Sequence, residues 1–209
     1  NFVFVVADDM YPHMFNNLPE GRGKNLTPNL DRLVSQGSFL TNAYVASPVC
    51  TPSRYGVLTG NFASRASNRE FVDFTEKNEG QTVIQFNSFI TPGRERTLGT
   101  HLQELGYKTG FVGKNHVIES LSQVGGSENN TLDLEADPRD DRVRALLERR
   151  HAALQDDIRR SGFDFADSLY HNNPNWLGVR ALAHQNMDWV TEGGLRFLDE
   201  FGSGPEPFF

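Results

Sequence analysis

Three short stretches of the sequence bring together residue types that could do chemistry. The only cysteine lies in Pro48-Val49-Cys50-Thr51-Pro52-Ser53-Arg54, a proline-flanked turn running into a helix. A helix N-terminus offers unpaired N–H groups and the positive end of the helix dipole, which suit an anion or a developing negative charge. Arg54, one turn on, adds a fixed cation that can bind an oxyanion through two N–H groups. Taken alone, a single cysteine is most often a small buried apolar residue. The second stretch is Asp8-Asp9, at the end of the apolar run Phe2–Ala7. Two carboxylates held this close repel unless a cation offsets them, and a hard divalent ion with oxygen ligands does so. Ca²⁺ tolerates irregular geometry there better than Mg²⁺. The third is Gly106-Tyr107-Lys108-Thr109-Gly110-Phe111-Val112-Gly113-Lys114-Asn115-His116. A strand would deliver Lys114 and His116, two residues apart, to the same side. The lysine would hold an anion's oxygen as a point charge and the histidine would move a proton near neutral pH.

The letters around the cysteine narrow this chemistry. Cys50-Thr51-Pro52-Ser53-Arg54-Tyr55-Gly56-Val57-Leu58-Thr59-Gly60 resembles the signature of the type I sulfatases, and the match runs from Pro48 through Gly60. In that family the Cys-x-Pro-Ser-Arg core directs oxidation of the cysteine to formylglycine. The resemblance implies that Cys50 works only after modification by a formylglycine-generating or equivalent maturation enzyme. The hydrated aldehyde is a geminal diol: one oxygen attacks sulfur and the other later expels sulfate, which is nucleophilic catalysis with an exit built in. Val5-Val6-Ala7-Asp8-Asp9 looks like the family segment that supplies two Ca²⁺ ligands, so the implied metal set is Asp8, Asp9 and the modified Cys50. Gly106–His116 is similar to the second sulfatase signature, which continues Gly-Lys into an aromatic residue and then His; Asn115 stands where the aromatic is expected. By the same resemblance Arg54 stabilises the modified residue, Lys114 binds sulfate and His116 assists elimination.

Supporting resemblance runs through Thr27–Leu33, Gly37, Phe39–Tyr44, Thr97–Leu105 and Thr191–Phe209. It implies an α/β class, an alkaline-phosphatase-like α/β/α sandwich around a mostly parallel sheet. The implied reaction is hydrolysis of a sulfated small molecule or glycan to an alcohol and inorganic sulfate. Family resemblance also places the protein outside the cytoplasm, in a periplasm, lysosome or secreted. The chain is expected to be the N-terminal catalytic portion, with the remaining metal ligands and the general acid beyond Phe209 and the segment alone inactive. Two rivals share the pattern: a phosphonate or phosphate ester hydrolase of the same superfamily, and a non-catalytic sulfoglycan-binding relative.

The elements that must position these residues follow from periodicity. Phe2–Ala7 reads as a strand covered on both faces. Thr27-Pro28 starts a helix as a hydroxyl cap and a first-turn proline, with Leu30, Leu33 and Val34 on one stripe and Gly37 at its end. Ser38–Ala46 reads as a strand, and a second helix runs from about Pro52 to Gly60. Asn61–Glu95 reads as an elaborated loop with a short strand at Thr82–Phe86. Thr97 caps a helix that stops at Gly106, and Tyr107–Gly113 is a strand. Gly125–Asp137 reads as loop, Arg139–Arg160 as a charged helix, and Glu192–Phe201 as a helix capped at Thr191. Phe208-Phe209 then begins another strand. This helix–strand alternation is that of an α/β fold.

Composition bounds the rest. The 209 residues, 37% hydrophobic and 22% charged, suit a globular domain with a sizeable core. One cysteine excludes an internal disulfide, and no apolar run approaches the roughly 20 residues of a membrane helix. A formal charge of −7 argues against nucleic acid as the main partner. His171 and His184 could approach a substrate pocket, His101 and His151 read as structural or solvated, and His13 lies near the aspartates in a loop with no recognised pattern. Arg65, Arg69, Arg94 and Arg96 could meet anionic groups on a glycan, but a solvated basic loop is the plainer reading. Asn25-Leu26-Thr27 and Asn129-Asn130-Thr131 fit the glycosylation pattern, a short one that arises often by chance.

Overall fold

A computed structural model describes residues 1–120, 132–172, 179–184 and 187–209. They form two compact units, one of residues 1–3 and 46–209, the other Phe4–Val45. Part of the expected loop Gly125–Asp137 and the Asn129 motif lie outside the described residues.

In the Phe4–Val45 unit, helix α1 spans Pro28–Gln36. Proline at its first position costs no hydrogen bond, because that N–H would be unpaired anyway. Thr27 does not cap it, contrary to expectation. Its hydroxyl instead accepts from Asn16 N (3.3 Å), while Asn16 Nδ2 donates to Asp31 Oδ2 (3.0 Å) and Asn16 Oδ1 accepts from Gly23 N (2.8 Å). One asparagine thus organises the loop ahead of α1. The expected strand Ser38–Ala46 is not formed; the segment is turn and irregular chain. The expected strand Phe2–Ala7 is also absent. Phe2 N donates to Phe208 O (2.9 Å), but Val3 and Val5 remain 74% and 81% exposed. An apolar run becomes a strand only when neighbours pair its backbone, and among the described residues only Phe2 is paired.

The larger unit is built on parallel pairing. Strands β1 (Gly110–Lys114) and β2 (Phe165–Tyr170) run parallel, from Gly110 opposite Phe165 to Lys114 opposite Tyr170. The register shifts between Val112 and Lys114, where Gly113 (φ 92°) faces Ser168 and Leu169. Ser168, with φ 49°, lies in this bulge. On the other side of β1, Lys108 N donates to Pro207 O, and Phe209 N and Gly110 N close the ladder (2.8 Å each). The expected strand start at Phe208-Phe209 is therefore present as this pairing. The sequence pattern does not reveal β2, because the bulge breaks its alternation.

Helices join and cover these strands. α2 spans Cys50–Thr59 and ends on Gly60 in the left-handed conformation. α3 (Arg69–Lys77) lies inside the stretch expected to be loop, anchored by buried Phe71; no strand forms at Thr82–Phe86. α4 (Leu98–Glu104) carries a reciprocal cap between Thr97 and Thr100, as Thr97 foretold. α5 (Asp141–Arg160) is capped by Asp140, whose carboxylate accepts from Arg142 N (2.8 Å). It lies between β1 and β2 in sequence, as a parallel pair requires, and buries Leu154 and Ile158. α6 (Met187–Phe201) starts before Thr191, which is therefore inside the helix rather than its cap. Gly193 of α6 lets it reach the bulge: a Cβ there would stand 2.5 Å from Ser168 Oγ. The core includes Phe71, Ile90, Ile118, Ile158, Phe163 and Leu169. Ile118, at 0% exposure, contributes about 1.5–3 kcal/mol by burial. It also sits two residues beyond His116, so the core reaches the candidate site.

Candidate active site

Cys50 is the first residue of α2, with Val49 extended before it and Ser53 N donating to Val49 O (3.0 Å). Its sulfur therefore lies at a helix N-terminus, where free N–H groups favour an anion. Lys114 ends β1, and its side chain is buried at 6% exposure with Nζ 3.6 Å from Cys50 Sγ. A lysine is rarely buried unless an anion or strong acceptor repays its desolvation. Here the Cys50 sulfur is one such acceptor within reach of Lys114 Nζ. Arg54 Nη1 donates to the Lys114 backbone carbonyl (2.7 Å), fastening α2 to the end of β1. The sequence assigned Arg54 only to anion stabilisation; the fold gives it this positional bond too.

His116 is not placed by strand alternation, as its spacing from Lys114 led one to expect. β1 ends at Lys114, and His116 takes a left-handed backbone, φ 53°, in the turn that follows. Asn115 makes this turn. Fully buried, it accepts at Oδ1 from Ile118 N (2.9 Å) and Val117 N (3.4 Å), and Nδ2 donates to Ile118 O (2.7 Å). Its own N–H donates to Tyr170 O (2.9 Å), continuing the pairing with β2. An aromatic ring at 115 could make none of the side-chain bonds, so the departure from the second signature has a structural role.

The parallel register also delivers His171, the residue after β2. Its Nδ1 lies 3.2 Å from Asn115 Nδ2, and its ring meets that of His116 edge to face, centroids 5.6 Å apart. Burial pushes the His171 pKa down to about 3, and the charges of His116 and Lys114 push the same way. Cys50, Arg54, Lys114, His116 and His171 are thus gathered in one compact unit. His184 is exposed, and His101 lies 3.0 Å from Arg96. His151 Nε2 accepts from Leu169 N (3.1 Å), a structural role, and burial lowers its pKa. Of the arginines, Arg96 pairs with Glu104 and Arg69 with Asp73, which favours the solvated basic loop. A separate cleft of about 250 Å³ is lined by Tyr55, Thr59, Arg65, Glu95 and Arg96 among others, and by none of Cys50, Arg54, Lys114 and His116. Burial, and then Glu95, pushes Tyr55 up to about 12.

Asp8 and Asp9 belong to the Phe4–Val45 unit. Asp8 is half-buried and Asp9 takes a left-handed backbone, φ 54°. Their carboxylates are suitable donors for a hard cation. Two residues fall short of the roughly six to eight oxygens Ca²⁺ takes, however. Among the described residues no group of three or more His, Cys, Asp or Glu could hold a metal ion. Asp8 and Asp9 fit such an ion as part of a larger set.

The sulfatase family model matches residues 1–141, which include every residue singled out by the two signatures and by the Asp-Asp pair. The chain belongs to the sulfatase family. This sulfatase chain is 35% identical over 130 residues to an N-acetylgalactosamine-6-O-sulfatase of Bacteroides thetaiotaomicron, 62% of this chain and 22% of that protein. It is 36% identical over 116 residues to arylsulfatase H of Canis lupus familiaris, 56% of this chain and 20% of the relative. Human steryl-sulfatase is 34% identical over 121 residues, 56% of this chain and 19% of its own length. The chain thus spans about a fifth of the length of the curated relatives it matches. Family membership carries the alkaline-phosphatase-like α/β class, in agreement with the helices and parallel pair. No helix among the described residues is long and apolar enough to cross a membrane.

Proposed function

We propose that the protein hydrolyses a sulfate ester to an alcohol and inorganic sulfate, with Cys50 acting in its formylglycine form. The observation that carries this reading is the buried Lys114 Nζ 3.6 Å from Cys50 Sγ at the N-terminus of α2. Formylglycine, once hydrated, supplies an oxygen nucleophile with its own route for releasing sulfate. Lys114 and the α2 N-terminus hold a sulfate oxygen and offset charge that develops on it. Arg54 keeps α2 and Lys114 in register through the Lys114 carbonyl and adds positive charge to the site. His116 holds or moves the proton at its ring nitrogen when sulfate leaves. Asp8 and Asp9 would contribute carboxylate oxygens to a divalent cation, for which Ca²⁺ is the better match. The names of the relatives, steryl-sulfatase, arylsulfatase and N-acetylgalactosamine-6-O-sulfatase, support a sulfated small molecule or glycan as substrate.

Peptide mass spectrometry of the segment around Cys50, from the native host, tests the modification; formylglycine at position 50 is expected. Turnover of matched aryl sulfate, phosphonate and phosphate esters by the full-length protein tests the substrate class, with sulfate preferred. Unmodified Cys50 in active native material, or a phosphonate preference, would overturn the reading.

A further inference from the structure

His171 lies beyond the residues matched by the family model, and the fold brings it against His116 through the Lys114–Tyr170 register. Asn115 fixes what this histidine can do. Its Oδ1 accepts from two backbone N–H groups, so the atom facing His171 is the amide nitrogen. One of that nitrogen's hydrogens goes to Ile118 O (2.7 Å). The other is left for His171 Nδ1 at 3.2 Å, which must therefore be the unprotonated acceptor, with the ring proton on Nε2. A protonated His171 would set an N–H against the Asn115 amide. We infer that His171 is a positioning residue for His116, held as one neutral tautomer by Asn115 so that the perpendicular ring contact fixes the plane of the His116 imidazole. This rests on the proposed role of His116 in the sulfatase reaction.

The environment favours that neutral form. His171 is largely buried, with Phe89 on one side (centroids 6.1 Å), and the charged groups facing it, His116 and Lys114, are both cationic when protonated. His116 needs such support because its left-handed backbone is one that a residue with a Cβ seldom adopts unaided. Asn115 closes the turn on one side, and the His171 ring limits rotation on the other. A proton-moving group misplaced by about 1 Å costs up to about a hundredfold in rate.

The test uses the full-length protein with selective ¹⁵N-histidine labelling and p-nitrophenyl sulfate as substrate. In the wild type, His171 Nδ1 is expected to resonate as an unprotonated ring nitrogen with no titration between pH 5 and 8. His171→Phe keeps a ring but cannot accept from Asn115. It is expected to lower kcat about 10- to 100-fold with KM nearly unchanged, and to shift the His116 titration midpoint. His171→Gln, whose carbonyl oxygen can accept the Asn115 N–H, is expected to restore part of kcat. A proton on Nδ1, or titration near the ordinary histidine pKa, overturns the inference. So does a His171→Phe protein with unchanged kcat and an unmoved His116 midpoint. If the wild type turns over no sulfate ester, the sulfatase proposal fails, while the His171 tautomer and the His116 midpoint still decide the positioning claim.

Discussion

Replacing Asn115 with alanine should destabilise the protein more than a typical loop substitution. Asn115 is 0% exposed, and its side chain bonds both the N–H and the C=O of Ile118, itself 0% exposed. Ile118 pairs with Ile90 through a parallel bridge, but that bridge uses Val117 O and Glu119 N, not the peptide groups of Ile118. Alanine therefore leaves the Ile118 N–H and C=O without a partner and also takes the weaker 3.4 Å acceptor from buried Val117 N. Each of the two Ile118 groups costs about 1–3 kcal/mol, so the loss should be roughly 2–6 kcal/mol. Asn115→Asp sharpens the point: it keeps an acceptor for Ile118 N but sets a carboxylate against Ile118 O. Burial should raise that carboxyl's folded pKa above its unfolded value of about 4. Such a group is tolerated below the unfolded pKa, and the protein should lose stability as pH rises above it. Equilibrium urea unfolding, monitored at constant m-value, measures both effects. A loss below about 1 kcal/mol for Asn115→Ala would refute the idea that this side chain alone satisfies Ile118.

Other outcomes follow from the same geometry. Lys114→Met keeps the buried stem and removes the charge, so kcat for an aryl sulfate should fall about 10²- to 10³-fold with the melting temperature preserved. Gly162 has φ 96°, and a Cβ there would stand 2.3 Å from Thr100 N, so Gly162→Ala should cost about 1–3 kcal/mol or more in urea unfolding. His171 has its folded pKa depressed to about 3, so the unfolded chain binds the extra proton between that value and about 6.5. Stability should therefore fall as pH drops through this window, by at most about 1.4 kcal/mol per unit, and His171→Gln should remove this portion; parallel stability–pH profiles would contradict it.

The parts legible in the sequence are those carried by contiguous letters. The cysteine turn and Gly106–His116 each hold their chemistry within a dozen residues, and Thr97 announces its helix through a bond to a residue three positions on. Parallel strands are harder, because their partners lie far away in sequence. Phe2–Ala7 and Ser38–Ala46 have strand-like composition but lack the pairing that would make them strands here. β2 is hidden for the opposite reason: the bulge that holds Ser168 destroys its alternation, although the backbone is paired. His171 could be named only as a candidate, since the Lys114–Tyr170 register that brings it to His116 leaves no local trace. The letters alone mark Asn115 only as a departure from a motif; its bonds to Ile118 are visible only in the fold.

The most direct test of sulfate-ester hydrolysis at Cys50 is inorganic sulfate release from p-nitrophenyl sulfate by the full-length protein, produced with a formylglycine-generating enzyme, beside its Cys50→Ala variant. Sulfate released by the wild type and abolished in the variant is the expected result. Equal release from both proteins, or none from a wild type shown to carry formylglycine, would contradict it.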